Sequence, residues 1–267
     1  MARLLVAVVL CLALAGCGQW TPLGGPTPER ATQVPLEQTP GEQPGIRDDG
    51  VNAALLVTRH EQVLQTTNYT LDVTQRTNGT GHGVLRRTNW YREVADSDRQ
   101  YWGFVRYNAS VNALQEFGTT DYWRNRTHVA TRFDSPLRPT RASLWKTDSS
   151  GPLPSPSNPD TLRTLLSATD PAVAQRRSDG TVVLSGEQPY PRAVIDTPPQ
   201  LTDVRNVSGR FRIRDDGVIV AWRVAYDATF VRDRVRVVRT GTVSDIGETT
   251  VERPPWVANA TRLDTRP

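Results

Sequence analysis

Apolar and polar side chains alternate over much of the chain between residues 69 and 258. In "YTLDVTQR" (69–76), Tyr69, Leu71 and Val73 fall on one side of a predicted strand, and polar residues fall on the other. Asn78-Gly79 follows as a turn signal. The same period predicts strands in "VLRRTNWYREV" (84–94), "QYWGFVRY" (100–107), "DYWRNRTHVATRF" (121–133), "TVVLSGE" (181–187), "GRFRIRDDGVIVAWRVAYDATF" (209–230, a hairpin around Asp215-Asp216-Gly217), "VRDRVRVVRTGTV" (231–243) and "IGETTVERPPWV" (246–257, an edge strand ended by prolines).

Two segments have a helical period instead. "VNAALLVTRHEQVLQ" (51–65) follows Asp48 and Asp49, which we expect to cap a helix. In "NPDTLRTLLSA" (158–168), Asn158 is the expected cap and Pro159 the first helical residue. The residues expected on the buried faces are Ala53, Leu56, Val57, His60 and Leu64 in the first helix, and Leu162, Leu165 and Leu166 in the second.

The order of these elements is helix, antiparallel strands, helix, antiparallel strands. Antiparallel meanders with helices on one face form an α+β architecture. We therefore expect one strongly curved antiparallel sheet, a half-open barrel, with the helices packed on its concave face. The space between sheet and helices is either packed solid or a pocket.

The N-terminus reads as an export signal. Arg3 precedes an apolar run from Leu4 to Ala15, which is too short for a membrane span and fits a signal-peptide core. Leu14-Ala15-Gly16-Cys17 looks like a lipobox, with small residues before the cut and a thiol that receives the lipid. The alternative is a plain secretory signal with an incidental cysteine. Two chains on Cys17 would anchor the protein stably in the extracytoplasmic face of the cell membrane.

Residues 18–50 contain six prolines with Gly, Thr and Gln between them, and they have no apolar periodicity. This composition predicts a disordered tether, whose ends would lie about 30 Å apart. The predicted organisation is a signal peptide at 1–16, lipidated Cys17 and tether at 17–49, one β-rich domain at 50–260 and a tail at 261–267. Cys11 leaves with the signal, so the domain holds no disulfide.

The charge of the chain says little about which partner it binds. The net charge is +4, and Lys146 is the only lysine among 32 basic residues. Such an arginine bias reflects GC-rich coding more often than function. Acidic lipid headgroups or acidic glycans remain compatible partners, and we expect no nucleic acid, because nothing places the chain in the cytoplasm.

Six N-x-S/T sequons are present, more than chance predicts. We favour glycan acceptors, and the alternative is that Asn-x-Thr simply suits turns and strand edges. Asn78 and Asn259 are expected to be the most exposed. The six acceptors are Asn68, Asn78, Asn108, Asn125, Asn206 and Asn259.

The sequence carries no convincing catalytic or metal-binding pattern, so we expect a non-enzymatic protein without a cofactor. The histidines are scattered, and His60 reads as a core residue. There is no G-x-S-x-G motif. The glycine-rich residues 79–83 join two strands, not a strand and a helix, which argues against a phosphate site.

Aromatic residues on the predicted strands favour core packing, with an apolar ligand pocket as the functional alternative. Tyr101 and Trp102 point to opposite faces, so the sheet is expected to be covered on both sides there. Arg232, Arg234 and Arg236 share one strand face and read as a solvated edge. The candidate pocket residues are Trp90, Tyr101, Trp102, Phe104, Trp123 and Trp222.

The lipobox, the Pro-rich tether, "HEQVLQTTNYTLDV" (60–73), "RDDGVIVAWRVAY" (214–226) and "VERPPWV" (251–257) together resemble haloarchaeal surface lipoproteins of unknown function. These are distantly similar to lipoprotein carriers of the LolA/LppX type, which are half-open β-barrels with helices across the mouth. The resemblance covers about residues 50–258. It implies a carrier of lipid or another apolar molecule, and it brings no catalytic residues.

The sequence is therefore compatible with two different functions. The first is a membrane-anchored carrier or binder of an apolar ligand, which needs a cavity of several hundred cubic ångströms. The second is a structural or interaction module of the cell surface with a solid core and no ligand.

Overall fold

The computed structural model describes residues 43–48, 50–79, 83–95, 100–109, 118–136, 138–147, 155–195, 197 and 200–262. The predicted signal peptide, Cys17 and the predicted tether up to residue 42 lie outside the described residues. The described elements are β1 (Ile46–Arg47), β2 (Gly50–Val51), α1 (Ala53–Leu64), β3 (Tyr69–Gly79), β4 (Gly83–Val94), β5 (Tyr101–Ala109), β6 (Gly118–Arg124), β7 (His128–Ser135), β8 (Arg138–Lys146), α2 (Pro159–Thr169), β9 (Ala172–Arg176), β10 (Val182–Gln188), β11 (Leu201–Ile213), β12 (Ile219–Phe230), β13 (Asp233–Ser244), a 3-10 helix (Pro255–Asn259) and β14 (Thr261–Arg262).

Twelve of the described strands form one sheet in the order β14-β8-β7-β6-β5-β4-β3-β13-β12-β11-β10-β9. Two meanders, β3–β8 and β9–β13, meet where β3 pairs antiparallel with β13. The pairing is antiparallel throughout these meanders, and β14 joins β8 in parallel. The sheet is mixed and is not closed into a barrel, because β9 and β14 are its two edges. The predicted α+β architecture with antiparallel meanders is confirmed. That the helices pack on a concave face of the sheet stays a prediction.

Cross-strand register defines the two faces of the sheet. Trp222 on β12 lies directly opposite Phe211 on β11 and Gly241 on β13, so these residues share one face. Both helices pack on that face, which we call the inner face, and the opposite side is the outer face. The main core lies between the helices and the inner face of β3 and β10–β13.

Helix α1 begins at a polar cap and buries an apolar stripe. The Asn52 side chain accepts a hydrogen bond from the Leu55 amide at 3.0 Å, so the predicted cap at Asp48 and Asp49 is wrong. Asp48 instead lies beyond β1 and pairs with Arg176 at 3.2 Å. The predicted buried face is confirmed for Leu56, Val57, His60 and Leu64.

Helix α2 approaches the sheet closely because two glycines face its last turn. Gly186 and Gly209 lie directly opposite each other on β10 and β11. A Cβ on Gly186 would lie 2.3 Å from the Thr169 carbonyl oxygen, and one on Gly209 would lie 2.6 Å from the Thr169 methyl. The predicted buried leucines of α2 are confirmed: Leu162, Leu165 and Leu166 are at most 1% exposed.

The C-terminal segment, residues 245–262, crosses the outer face as an irregular strap. The Gly247 amide donates to the Asn68 carbonyl at 2.8 Å, and the Gln100 side chain donates to the Val251 carbonyl at 2.8 Å. The prediction of an edge strand at 246–257 is therefore wrong. Pro254 and Pro255 lack amide hydrogens and could not complete a ladder, and the chain forms a 3-10 helix there instead.

The folded part begins before residue 50. The Gln43 side chain donates to the carbonyl oxygens of Gly180 and Arg214, each at 2.9 Å. Ile46 is 1% exposed and belongs to the main core. The predicted boundary at residue 50 is thus at least seven residues too late, and β14 extends the domain beyond residue 260.

Candidate binding faces of the sheet

The six predicted pocket residues do not share one face. Trp222 lies on the inner face, and the antiparallel registers carry that face across β3 to Trp90 and then to the start of β5. Neighbouring residues of one strand point to opposite sides. The six aromatic residues therefore cannot line a single pocket. Trp90, Tyr101 and Trp222 are on the inner face, and Trp102, Phe104 and Trp123 are on the outer face.

On the inner face the aromatic rings lie beside arginines. The guanidinium of Arg239 lies over the Trp90 ring at 5.0 Å from its centroid. Two further pairs, Arg86 with Tyr107 at 5.8 Å and Arg92 with Tyr122 at 5.9 Å, follow the same arrangement. Guanidinium groups over aromatic faces are attracted by the ring quadrupole. We call these three pairs the inner cluster.

Arg92 ties the inner cluster to the segment before α2. Its Nε donates to the Tyr122 hydroxyl at 2.7 Å, and its Nη1 donates to the carbonyls of Ser155 and Pro156 at 2.9 and 3.0 Å. Burial raises the pKa of the Tyr122 phenol, which Arg92 partly offsets. Burial also raises the pKa of neighbouring Tyr101 to about 12. Both phenols are neutral at pH 7 and can donate hydrogen bonds.

The buried polar atoms of the inner face without a hydrogen-bond partner in the described structure include three on aromatic side chains. They are the Tyr69 hydroxyl and the indole nitrogens of Trp145 and Trp222. The three side chains are at most 5% exposed. An unsatisfied buried donor costs about 1–3 kcal/mol.

Trp222 itself fills space rather than lining a void. An added Cβ on Gly241 would lie only 2.0 Å from the Trp222 ring, so the indole lies flat against the glycine backbone. This close approach requires glycine at position 241.

On the outer face the aromatic residues form packed groups. Tyr91 stacks on Phe104 with 5.4 Å between ring centroids, and it meets Trp102 edge-on at 5.7 Å. Trp123 lies in a second core with Ala130, Leu144 and Val257, so the strap covers it. The prediction that the sheet is covered on both sides at Tyr101 and Trp102 is confirmed.

Beyond the strap, the outer face carries an arginine patch, which consists of Arg177, Arg210, Arg212 and Arg223. These residues surround a groove of about 270 Å³ with Val183 and Ala221 in its floor. Arg210 and Arg223 lie directly opposite each other on β11 and β12. All four arginine side chains are exposed, and Val183 beneath them is only 3% exposed.

The sequence pattern did not single out this patch. The alternation in "GRFRIR" (209–214) places Arg210 and Arg212 on one side, but Arg223 joins them only through the register. The sequence pattern instead predicts one shared strand face for Arg232, Arg234 and Arg236. Arg234 and Arg236 do share the outer face of β13, but Arg232 lies in the preceding turn. Arg236 pairs with Asp227 at 2.8 Å.

His60 lies in the core and Asp216 lies in a turn, as the sequence predicts. The Nδ1 atom of His60 accepts from the Ile219 amide at 3.1 Å, and burial lowers the His60 pKa to about 4. Asp216 pairs with Arg214 inside the predicted β11–β12 turn. No group of three or more His, Cys, Asp or Glu residues among those described could hold a metal ion. His82 lies outside the described residues.

The sequons differ in accessibility. Asn108, Asn206 and Asn259 are exposed, whereas Asn68, Asn78 and Asn125 are half-buried, so the expectation for Asn78 is wrong. The Asn125 side-chain oxygen accepts from the amides of Thr127 and His128 at 2.9 and 2.8 Å, which is turn chemistry. The Asn206 side-chain nitrogen donates to Asp227 at 2.8 Å.

Within the described part of the chain, no helix is long and apolar enough to cross a membrane. No protein-family model matches the chain, and no curated protein does.

Among solved structures, the chain is similar to an outer-membrane lipoprotein-sorting protein domain from Vibrio parahaemolyticus. The identity is 8%, the match covers 76% of this chain and 96% of that one, and the TM-score is 0.27. Two crystal forms of PNGF-II match with 10% and 11% identity, 73% and 74% of this chain, 31% and 32% of that chain, and TM-scores of 0.25 and 0.24. This chain thus spans about a third of PNGF-II. TM-scores this low carry no information about function.

Proposed function

We propose that the chain is a lipid-anchored extracytoplasmic lipoprotein that binds a lipid or another apolar molecule with a polar head on the inner face of its sheet. The carrying observation is that two buried polar atoms of the inner face, the Tyr69 hydroxyl oxygen and the Trp145 indole nitrogen, have no hydrogen-bond partner in the described structure. A ligand with a polar head would satisfy whichever of these atoms the head reaches, and a purely apolar ligand would satisfy neither.

The inner cluster supports the same ligand class. Aromatic rings bind apolar chains, and the guanidinium groups of Arg86 and Arg239 suit an acidic or phosphate head. Trp90 is half-buried, so part of its ring remains available for a ligand.

Organic extraction of the purified full chain, followed by mass spectrometry, tests the proposed ligand. We expect near-stoichiometric lipid in the parent protein and at least tenfold less in Trp90→Leu. Trp102→Leu is the matched control, because the same residue type is removed from the outer face. Lipid-free parent protein that is fully folded would contradict the proposal.

The anchor is tested separately in cells. We expect Cys17→Ser to leave the membrane fraction after a high-salt wash, and Cys11→Ser to remain in it, because Cys11 belongs to the cleaved signal. Retention of the Cys17→Ser protein in washed membranes would contradict the lipid anchor.

A second function, an interaction module with a solid core, is favoured by a different observation. The described grooves of about 370 and 410 Å³ are lined mainly by polar and charged residues such as Glu187, Asn206 and Arg76. Trp222 is also packed directly onto Gly241. Lipid-free, folded parent protein in the extraction experiment would select this second function.

A further inference from the structure

The arginine patch places like charges side by side on an exposed sheet face. Arg210 and Arg223 form a direct cross-strand pair, and Arg76 and Arg87 form another on β3 and β4. All four side chains are exposed and point to the outer face. Directly opposed like charges destabilise a sheet. A cost of this kind is offset when an anionic partner lies over the pair.

Neighbouring carboxylates do not neutralise the patch. In the described structure, Arg210, Arg212 and Arg223 have no ion pair with a carboxylate, while Asp227 on the same face is already held by Arg236. The patch is therefore a cationic surface with free guanidinium donors, which bind phosphate oxygens in pairs.

The tether enters the domain next to this patch. Gln43, where the described chain begins, is hydrogen-bonded to Gly180 and Arg214. Gly180 lies in the β9–β10 turn that also contains Arg177, and Arg214 follows Arg212 by two residues. The first described residue of the chain thus lies at the end of the sheet that carries the arginines.

We propose that the arginine patch docks the domain on the surface of an anionic phospholipid membrane. This docking is separate from the lipid anchor. It rests on the proposed lipidation in one respect only: lipidation is the reason to expect a membrane, and not another polyanion, as the partner of the patch. The predicted tether, with its ends about 30 Å apart, would keep the domain at high effective concentration near the bilayer. Each arginine near an anionic leaflet then adds a small electrostatic gain, and the four arginines act together.

Vesicle sedimentation tests the docking without the lipid anchor. The probe protein is residues 18–267, which contain every described element, mixed with phosphatidylcholine vesicles that contain either no or about one-third phosphatidylglycerol. We expect binding to the anionic vesicles only, and its loss at high salt. Arg210→Gln/Arg223→Gln should bind about 30-fold more weakly.

The matched control is Arg141→Gln/Arg262→Gln, which removes the same charge from β8 and β14 at the far edge of the sheet. We expect it to bind within about threefold of the parent. Equal binding by the two double variants, or equal binding of the parent to neutral vesicles, would overturn the proposal. Tighter binding to soluble polyglutamate than to anionic vesicles would also overturn it, in favour of an acidic protein partner.

The outcome is independent of the proposed function. Vesicle binding without Cys17 does not depend on lipidation, and the Arg210 and Arg223 side chains lie on the opposite face from the inner cluster. Failure of docking would leave the anchor and ligand tests unaffected, and the reverse also holds.

Discussion

His60 lies on the buried face of α1, and its ring is fully enclosed. Burial lowers its pKa to about 4, while the Ser157 backbone and the Asp216 charge oppose that shift. The ring is therefore neutral at pH 7, and its Nδ1 accepts from the Ile219 amide. This residue joins α1 to the start of β12.

Because the folded pKa lies below the unfolded value of about 6.5, the unfolded state binds the proton first as pH falls. Stability is therefore lost below pH 6.5, and the loss levels off below pH 4. We expect His60 to lower the free energy of unfolding by about 2 kcal/mol between pH 7 and pH 5. Denaturant titrations of the parent and His60→Gln should diverge in that window, and parallel pH profiles would contradict the prediction.

At the scale of elements, two glycines decide how closely α2 approaches β10 and β11. Side chains at Gly186 or Gly209 would collide with Thr169 at the end of α2. Thr169 is itself buried, and its hydroxyl donates to the Leu165 carbonyl at 2.8 Å, so it cannot easily move aside.

We expect Gly186→Ala and Gly209→Ala each to lower the free energy of unfolding by about 1–3 kcal/mol, as overpacking does. Gly186→Ala should cost at least as much, because the opposing atom there is a backbone oxygen. Ser185→Ala, an exposed neighbour on β10, is the control and should change stability by less than about 0.5 kcal/mol in the same denaturant titration. Unchanged stability in both glycine variants would show that α2 does not pack here.

The pairing of β11 with β12 makes a further prediction. Arg210→Thr removes one of two directly opposed charges and introduces a residue favoured in strands. We expect the free energy of unfolding to rise by about 0.2–1 kcal/mol at low salt. The gain should shrink at high salt, and Arg223→Thr should add little in the Arg210→Thr background. Lower stability in both single variants would show that the two arginines do not oppose each other.

At the scale of the whole molecule, the strap and the helices leave different parts of the surface accessible. The exposed sequons lie on β5, on β11 and in the 3-10 helix. Asn206 already uses its side-chain nitrogen to hold Asp227, and a glycan would replace one of the two hydrogens on that nitrogen, next to the Asp227 carboxylate.

We therefore expect glycans on Asn108 and Asn259 and none on Asn206 in protein from the native host. Peptide mass spectrometry with site mapping checks this prediction. An unmodified intact mass would remove the glycan hypothesis altogether, and a glycan at Asn206 would contradict the prediction for that site.

Much of the local structure could be predicted from the chain because its causes are local. The period of α1 places Leu56, Val57 and His60 on one stripe. Pro159 is the first residue of α2 and Asn158 is in the cap position, as predicted, but the Asn158 side chain makes no capping hydrogen bond. Strand alternation likewise separates Tyr101 from Trp102. The predicted cap of α1 was wrong for a local reason, because Asn52 rather than Asp48 or Asp49 accepts a hydrogen bond from the first turn of the helix. The edge strand at 246–257 was wrong because a tertiary contact competed, in which Val257 of the strap packs with Trp123.

By itself, the sequence determined both helices, many of the strands and the parity of side chains within each strand. It did not predict β8 or β9, and it predicted a single strand over 121–133 where β6 and β7 are two separate strands. The features that it did determine depend on neighbours a few residues apart. Only the tertiary structure decided which strand faces coincide. The register places Arg210 opposite Arg223, and it places Trp90 on the same face of the sheet as Trp222. It also divides the six predicted pocket residues between the two faces. The reason is that pairing brings together residues far apart in the chain, and alternation within one strand carries no information about its partner.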